Sequence, residues 1–246
     1  MSKNYLWLSI LAVLISFAGG FLLANALNRS EMNNLLAENN RLKKEPLPDQ
    51  NSSQAPQESL TEQEIREKLT QAEKNPDDFN FQKGLGIGLY RYAAMKQDPK
   101  LLQETAQVLE RAYLINPNDY DVLVSLGNIY YDVGQLEKSS ENNKKAREIY
   151  SKALAKNPQD TFVRTDYGLT FLLTENPERE KAIEELEKAL EANPKNQKAL
   201  YYISQALIET GKVEKAREKI AILKQMNPKS PGVGELEKLI AQTENE

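Results

Sequence analysis

The sequence predicts an all-α solenoid of repeated helix–turn–helix units, preceded by a single transmembrane helix and a linker. Three observations predict it. The pair Asn-Pro occurs at Asn75-Pro76, Asn116-Pro117, Asn157-Pro158, Asn193-Pro194 and Asn227-Pro228, with proline spacings of 41, 41, 36 and 34. Between successive pairs the apolar residues return in two helical runs, the first with a small residue in mid-pattern. And 23 residues, Tyr5 to Leu27, carry no formal charge.

Composition narrows the chemistry. The chain has 246 residues, with Lys plus Arg 32 against Asp plus Glu 36. No basic excess is available to neutralise phosphates, which argues against a nucleic-acid partner. There is no His and no Cys. Thiol nucleophiles, disulfides, His-based triads and the usual zinc sites are therefore excluded. No cofactor is expected.

The elements follow in order. Residues 1–4 are a tail and 5–27 an anchor. As a helix the anchor would be about 34 Å long, enough for a hydrocarbon core of about 30 Å. Tyr5 and Trp7 sit where interfacial aromatics belong. The rival reading is a cleaved signal peptide, with Lys3 as its basic start and Ala24-Asn25-Ala26 as the cleavage site. The apolar run outlasts the ~7–15 residues of such a segment, which favours the anchor. Orientation is contested. Arg29, Arg41, Lys43 and Lys44 follow the span against Lys3 before it. The signal-like start favours export, so the soluble part is expected on the extracytoplasmic, periplasmic side of a single-pass protein. The cytoplasmic side is the alternative. Ala12, Ser16, Gly20 and Ala24 form a small-residue stripe that lets a second helix approach. In 28–45, Met32, Leu35, Asn39 and Leu42 take a–d–a–d spacing, which suits a short parallel coiled coil and a homodimer. Residues 46–60 are rich in Pro, Gln and Ser and read as a linker.

Within 61–76, Thr61 and Glu64 fit a capping box, and Ile65, Leu69 and Ala72 share one face. The repeat units are 77–117, 118–158, 159–194 and 195–228. The first two carry seven extra residues each, about two turns, which keeps the apolar face in phase. In the first unit Asp98 caps and Pro99 opens the second helix. In the second unit the second helix is expected to lengthen, from about Leu136 to Lys156. In the third, Asn176 is expected to cap and Pro177 to start it. Residues 229–246 hold a last helix from Ser230-Pro231, with Leu236, Leu239 and Ile240 inward and Glu235, Glu237 and Lys238 outward.

The units resemble the tetratricopeptide repeat (TPR) family. Leu85-Gly86, Leu126-Gly127 and Tyr167-Gly168 match its Leu-Gly step, and Ser204 replaces the fourth Gly. Tyr130 and Phe171 match the aromatic that follows, with Leu89 and Leu207 in its place elsewhere. Ala146, Ala182 and Ala216 match the small residue of the second helix. Leu109, Tyr150, Leu186 and Ile220 match the large one. Ala112, Ala153 and Ala189 precede the terminal proline, with Leu223 in the fourth unit. The family's Trp is replaced by Gln82, Leu123, Arg164 and Leu200. The resemblance implies a right-handed superhelix over about 61–243.

Nothing in the sequence supports an enzyme. The acidic pairs Asp77-Asp78, Asp119 with Asp121, and Glu184-Glu185 with Glu187 read as turns and a solvated helix face, so no catalytic or metal residue is named. Gly84, Gly86 and Gly88 lie in a helix-pairing context, not between a strand and a helix, and are no phosphate loop. The resemblance implies a concave groove, lined in the first unit by Asn80, Lys83, Ile87 and Tyr90. In the second it is lined by Asp121, Val124, Asn128 and Tyr131, in the third by Phe162, Thr165, Leu169 and Leu172, and in the fourth by Lys198, Tyr201, Gln205 and Ile208. Lys83 fits the family's carboxylate clamp, but Ile87 replaces its Asn and the later basic residues are missing. An apolar peptide or partner helix is the expected ligand. The architecture looks like that of bacterial members in cytochrome c maturation or other envelope assembly. The expected role is a membrane-tethered protein–protein interaction adaptor. The alternative is a constitutive structural subunit of a large membrane complex.

Overall fold

The computed structural model describes residues 61–228 and 230–244. The anchor, the Ala12/Ser16/Gly20/Ala24 stripe, the Met32/Leu35/Asn39/Leu42 heptads and the linker lie outside the described residues. Within these, there are ten α-helices and no strand. They are α1 (Glu62–Lys74), α2 (Phe79–Lys96), α3 (Pro99–Ile115), α4 (Tyr120–Leu136), α5 (Ser140–Lys156), α6 (Thr161–Leu172), α7 (Arg179–Ala192), α8 (Gln197–Glu209), α9 (Val213–Met226) and α10 (Pro231–Thr243). Among the described residues no helix is long and apolar enough to cross a membrane.

The Asn-Pro pairs end helices for a local reason. Proline disfavours helical backbone in the residue before it, so each Asn leaves the helix while its N–H still bonds the carbonyl four residues back. Asn116 donates to Ala112 O and Asn157 to Ala153 O, both at 2.9 Å. The Asn side chain then accepts from the backbone two residues on, as Asn116 Oδ1 does from Asn118 at 3.2 Å. Two residues after each of the first three prolines an Asp caps the next helix. Asp78, Asp119 and Asp160 accept from Phe81, Val122 and Val163. Thr61 and Glu64 form the reciprocal capping box.

Pairs α2/α3, α4/α5, α6/α7 and α8/α9 are the four units, and the core runs along their seams. Gly86, Gly127 and Gly168 face Leu109, Tyr150 and Leu186 of the partner helix, and Ser204 stands at the fourth seam, fully buried. Ala112, Ala146, Ala153, Ala182, Ala189 and Ala216 are fully buried too. In the first unit Thr105 holds the place of Ala146, its hydroxyl turned back onto Leu101 O at 2.6 Å. Gln82, at the Trp position, donates to Ala72 O and Asn75 O, both at 2.7 Å, and ties α1 to α2.

Two boundaries differ from expectation. α4 runs through Gly134 to Leu136, and α5 starts only at Ser140 under the Ser139 cap. Gly134 is a packing glycine: a Cβ there would lie 2.6 Å from Asn143 Oδ1. Both helices therefore carry the extra length, 17 residues each against 13 and 14 in α8 and α9. The third unit is shorter, and the preceding pair overhangs it. The α6–α7 loop folds beneath the overhang, so Asn176 and Pro177 lie in the loop and α7 starts at Arg179. Asn143 donates to Leu173 O at 3.1 Å. Arg147 donates to Thr170 O at 2.7 Å and Glu178 at 2.9 Å, its guanidinium 3.9 Å from the Phe171 ring centre. These groups take the place of a helix cap.

The stack bends. Each first helix approaches the next along α2, α4, α6 and α8, whereas the backbones of second helices α3, α5, α7 and α9 stay apart and long side chains bridge the gap, as Lys152 does to the Tyr113 hydroxyl at 2.6 Å. The first helices therefore form the inner face. On the outer side the gap between α7 and α9 is an open cleft of about 300 Å³, lined by Leu190, Pro194, Leu200 and Ile222 with Glu187, Glu191 and Lys219.

Candidate functional site

The inner face is built from equivalent positions of α2, α4, α6 and α8, and it is most open in the first unit and most closed in the third. Asn80 and Asp121 are exposed, and Lys83, Ile87, Tyr90, Val124 and Asn128 are half-buried. Phe162, Leu172, Lys198, Tyr201 and Gln205 are half-buried as well. Four expected groove residues are core instead. Tyr131 is 4% exposed, Thr165 1%, Leu169 0% and Ile208 2%. The bend explains this: where first helices converge, residues of the next unit close over positions that a straight stack would leave open. Tyr201 is covered in its turn by α10. Its ring carbons lie 3.0 Å from where a Gly232 Cβ would stand, and its hydroxyl donates to Glu235 at 3.0 Å. Glu235, expected outward, is half-buried for that reason.

A ladder of polar ties joins neighbouring first helices. Lys83 of α2 donates to Asp119 at 2.9 Å and Asp121 at 2.7 Å. Tyr90 donates to Asp132 at 3.2 Å, and Tyr120 to Asp160 at 2.6 Å. Lys198 of α8 donates to Asp166 of α6 at 2.6 Å, with side chains only 10% and 15% exposed. Burial alone would lower the Lys83 ammonium, but its bonds to Asp121 and Asp119 outweigh that and hold it above its usual value. Asp119 is also desolvated, yet the Val122 N–H and the Lys83 ammonium hold its carboxyl below the ordinary value.

Beneath the ladder lies a tyrosine cluster. Lys198 Nζ is 5.6 Å from the Tyr131 ring centre, so α8 reaches across α6 to α4. The Tyr150 hydroxyl donates to Asn128 Oδ1 at 2.7 Å. The Tyr131 and Tyr202 hydroxyls are buried and have no hydrogen-bond partner. Leaving such a group unmatched costs about 1–3 kcal/mol. Burial pushes both tyrosines well above their usual range, and nearby Asp166 adds to it in each. Asp132, Asp166 and Tyr202 are residues the sequence reading passed over. Each sits beside a residue it did name, and only the approach of three first helices brings them together.

Most members of the acidic pairs have structural partners. Asp78 and Asp119 are caps, and Glu185 binds Arg164 at 2.7 Å and Lys188 at 2.8 Å. Among the described residues no three carboxylates are placed to hold a metal.

Comparison with known proteins agrees with this architecture. The family model "Tetratricopeptide repeat" matches residues 173–242. A second, "Plant specific mitochondrial import receptor subunit TOM20", matches residues 57–172. No curated protein matches the sequence. Among solved structures, a crystal structure of MamA protein aligns with a TM-score of 0.54 and 18% identity, covering 68% of this chain and 82% of that one. MamA 41-end from Desulfovibrio magneticus RS-1 aligns with a TM-score of 0.54 and 19% identity, covering 69% and 87%. MamA AMB-1 gives 0.53 and 23%, covering 67% and 80%. At these identities the likeness is one of fold.

Proposed function

Since the chain is built of tetratricopeptide repeats, we propose that it is a membrane-tethered adaptor that holds a protein segment on the inner face of its solenoid. The observation that carries the reading is the inner face itself. Four consecutive first helices line it, and its half-open positions Ile87, Tyr90, Val124 and Asn128 alternate apolar and polar groups suited to a peptide or helix. The match of residues 57–172 to an import receptor subunit family supports a receiving role. The uncharged segment Tyr5 to Leu27 supports the tether, and the signal-like start supports an extracytoplasmic solenoid. In that place the adaptor would serve assembly or stabilisation of a membrane complex, as cytochrome c maturation requires.

The test is site-specific photo-cross-linking in cells. A photoreactive side chain at Val124 or Asn128 of the full-length chain captures the partner, whereas one at Glu184 on the outer side does not. Capture only from Glu184 refutes the inner-face reading. Alkaline extraction of membranes tests the tether: the full chain stays in the pellet and a chain starting at Thr61 leaves it. Release of both refutes the anchor.

A further inference from the structure

The solenoid begins on a helix face that no other described residue covers. Gly84, Gly88, Arg91 and Met95 lie on one side of α2, spaced by 4, 3 and 4 residues, and all are exposed, Met95 to 61%. In later units the places of Gly84 and Gly88 are taken by Ser125 and Ile129 in α4, Asp166 and Thr170 in α6, and Tyr202 and Ala206 in α8. Five of these are buried, and Asp166 is tied to Lys198. In α2 a Cβ at either glycine would meet nothing within 4 Å. Open glycines cost a helix about 1 kcal/mol each against alanine, and close approach of another helix would offset that. The charges on the face say which helix. Asp77 stands in the turn before α2 and Arg91 towards its end. Both are exposed, and among the described residues neither is ion-paired. Opposite charges at the two ends of one face complement each other when that face meets its own copy antiparallel, and antiparallel helix dipoles agree with it.

We propose that this face is a homodimer interface, in which α2 packs antiparallel on α2 of a second copy about a two-fold axis between Gly84 and Gly88. The interface is separate from any pairing of the N-terminal heptads. Gly84 meets the partner's Gly88, which lets the two backbones come close. Arg91 lies beside the partner's Phe81 and one turn from the partner's Asp77, within reach of its carboxylate. Symmetry makes each contact twice. A two-fold axis perpendicular to both helices keeps the two inner faces on the same side. Asn80 then stands at the middle of one continuous trough, and a bound segment still enters there.

The chain has no cysteine, so an introduced one reports only its own neighbour. Full-length chains carrying Gly84→Cys are mixed in mild detergent with differently tagged chains carrying Gly88→Cys, and oxidised. The expected result is a disulfide-linked dimer joining the two tags, whereas Glu184→Cys on the outer side gives none. Arg91→Asp in both chains, or Asp77→Arg in both, lowers the linked fraction about tenfold, because two attractions become two repulsions. Mixing Arg91→Asp chains with Asp77→Arg chains restores it, since each acid again meets a base, a rescue that a parallel pair would not give. Far-UV circular dichroism shows the charge variants folded. Linkage that ignores the charge variants, or that mixing does not rescue, overturns the proposal. So does a dimer by mass that lacks the linkage. A disulfide from Gly84→Cys to Leu35→Cys within one chain, in place of the dimer, overturns it in favour of the chain's own N-terminal segment.

Discussion

Alanine in place of glycine should raise or lower stability according to where the glycine faces, and α2 holds both cases. In a helix interior glycine is about 1 kcal/mol worse than alanine, so filling open space gains that much. At Gly84 and Gly88 an added Cβ meets nothing within 4 Å. Each change to alanine should stabilise by about 0.5–1 kcal/mol. At Gly86 the Cβ would stand 2.5 Å from Leu109 Cγ, and at Gly127 it would stand 2.7 Å from Tyr150 Cδ1 and Cε1. Leu109 and Tyr150 are fully buried, and the Tyr150 hydroxyl is tethered to Asn128. A leucine can turn within its rotamers, but a tethered ring cannot. Overpacking of about 1–3 kcal/mol therefore exceeds the helix gain, most clearly at Gly127. At Gly168 the nearest atom is Leu186 Cγ at 3.2 Å, a contact that relaxes by a few tenths of an ångström, and the two effects nearly cancel. Urea denaturation of the full-length chain by far-UV circular dichroism should rank Gly84→Ala above wild type, Gly168→Ala near it and Gly127→Ala lowest. Hydrogen exchange should place the loss of Gly127→Ala in α4 and α5. A Gly127→Ala variant as stable as wild type would refute the close-approach reasoning.

Four other perturbations have definite outcomes. Tyr131→Ala should cost about 3–5 kcal/mol because the ring is core, whereas Tyr131→Phe, which removes an unpartnered hydroxyl, should be neutral or stabilising in urea melts. Arg147→Met should free the α6–α7 loop by removing its bonds to Thr170 and Glu178, seen as faster hydrogen exchange over residues 173–178 and a loss of about 2–3 kcal/mol. Lys138 holds φ 53° at the α4–α5 turn, so Lys138→Gly should raise the melting midpoint by relieving about 1 kcal/mol of left-handed strain. Base should unfold the chain cooperatively. Burial holds the Tyr131, Tyr150 and Tyr202 protons well above the usual 10.0, so their stabilisation is complete below pH 10 and is lost as pH rises past it. Each contributes a slope of about 1.4 kcal/mol per pH unit, and a melting midpoint flat from pH 9 to 12 would contradict it.

The sequence discloses what repeats and hides what does not. Gly86, Gly127 and Gly168, their partners Leu109, Tyr150 and Leu186, and the buried alanines recur at fixed offsets, so one alignment of the chain on itself places them all. The cap residues Thr61 and Asp98 and the start of α10 at Pro231 follow local rules and were legible too. Non-periodic features were not. Asn143 and Arg147 look like solvated helix residues, yet they replace a helix cap because the unit after them is shorter. The ends of α4 and α7 were misplaced for the same reason, since an insertion was read as lengthening one helix when two overhang a loop. The groove was half legible. Register gave the right face of each first helix, but exposure depends on how closely the next unit approaches. That is a property of the bend, and it took Tyr131, Thr165, Leu169 and Ile208 into the core.

The bend and the end helices together decide which part of the inner face can take a partner. α1 packs on α2 and ends at Asn75-Pro76, as the second helix of each unit ends at its own Asn-Pro, although it also approaches α3, as no later second helix does its counterpart. Among the described residues, nothing occupies the place of a first helix before α2, and Asn80 at that edge is exposed. The far end is different. α10 approaches α8 and α9, takes the place of a further first helix, and covers Tyr201 through Gly232 and Glu235. Among the described residues the solenoid thus opens with a second-type helix and closes with a first-type helix, and its inner face is capped by α10 at the far end. In the proposed arrangement the open end belongs to the units nearest the N-terminal anchor. A segment entering there meets Asn80, Lys83 and Val124 first and reaches Lys198 and Gln205 of α8 only after passing two units. Cross-linking should therefore fall off from Asn80 to Gln205 along one bound segment. Equal capture at both ends would mean that the partner crosses the face instead of running along it.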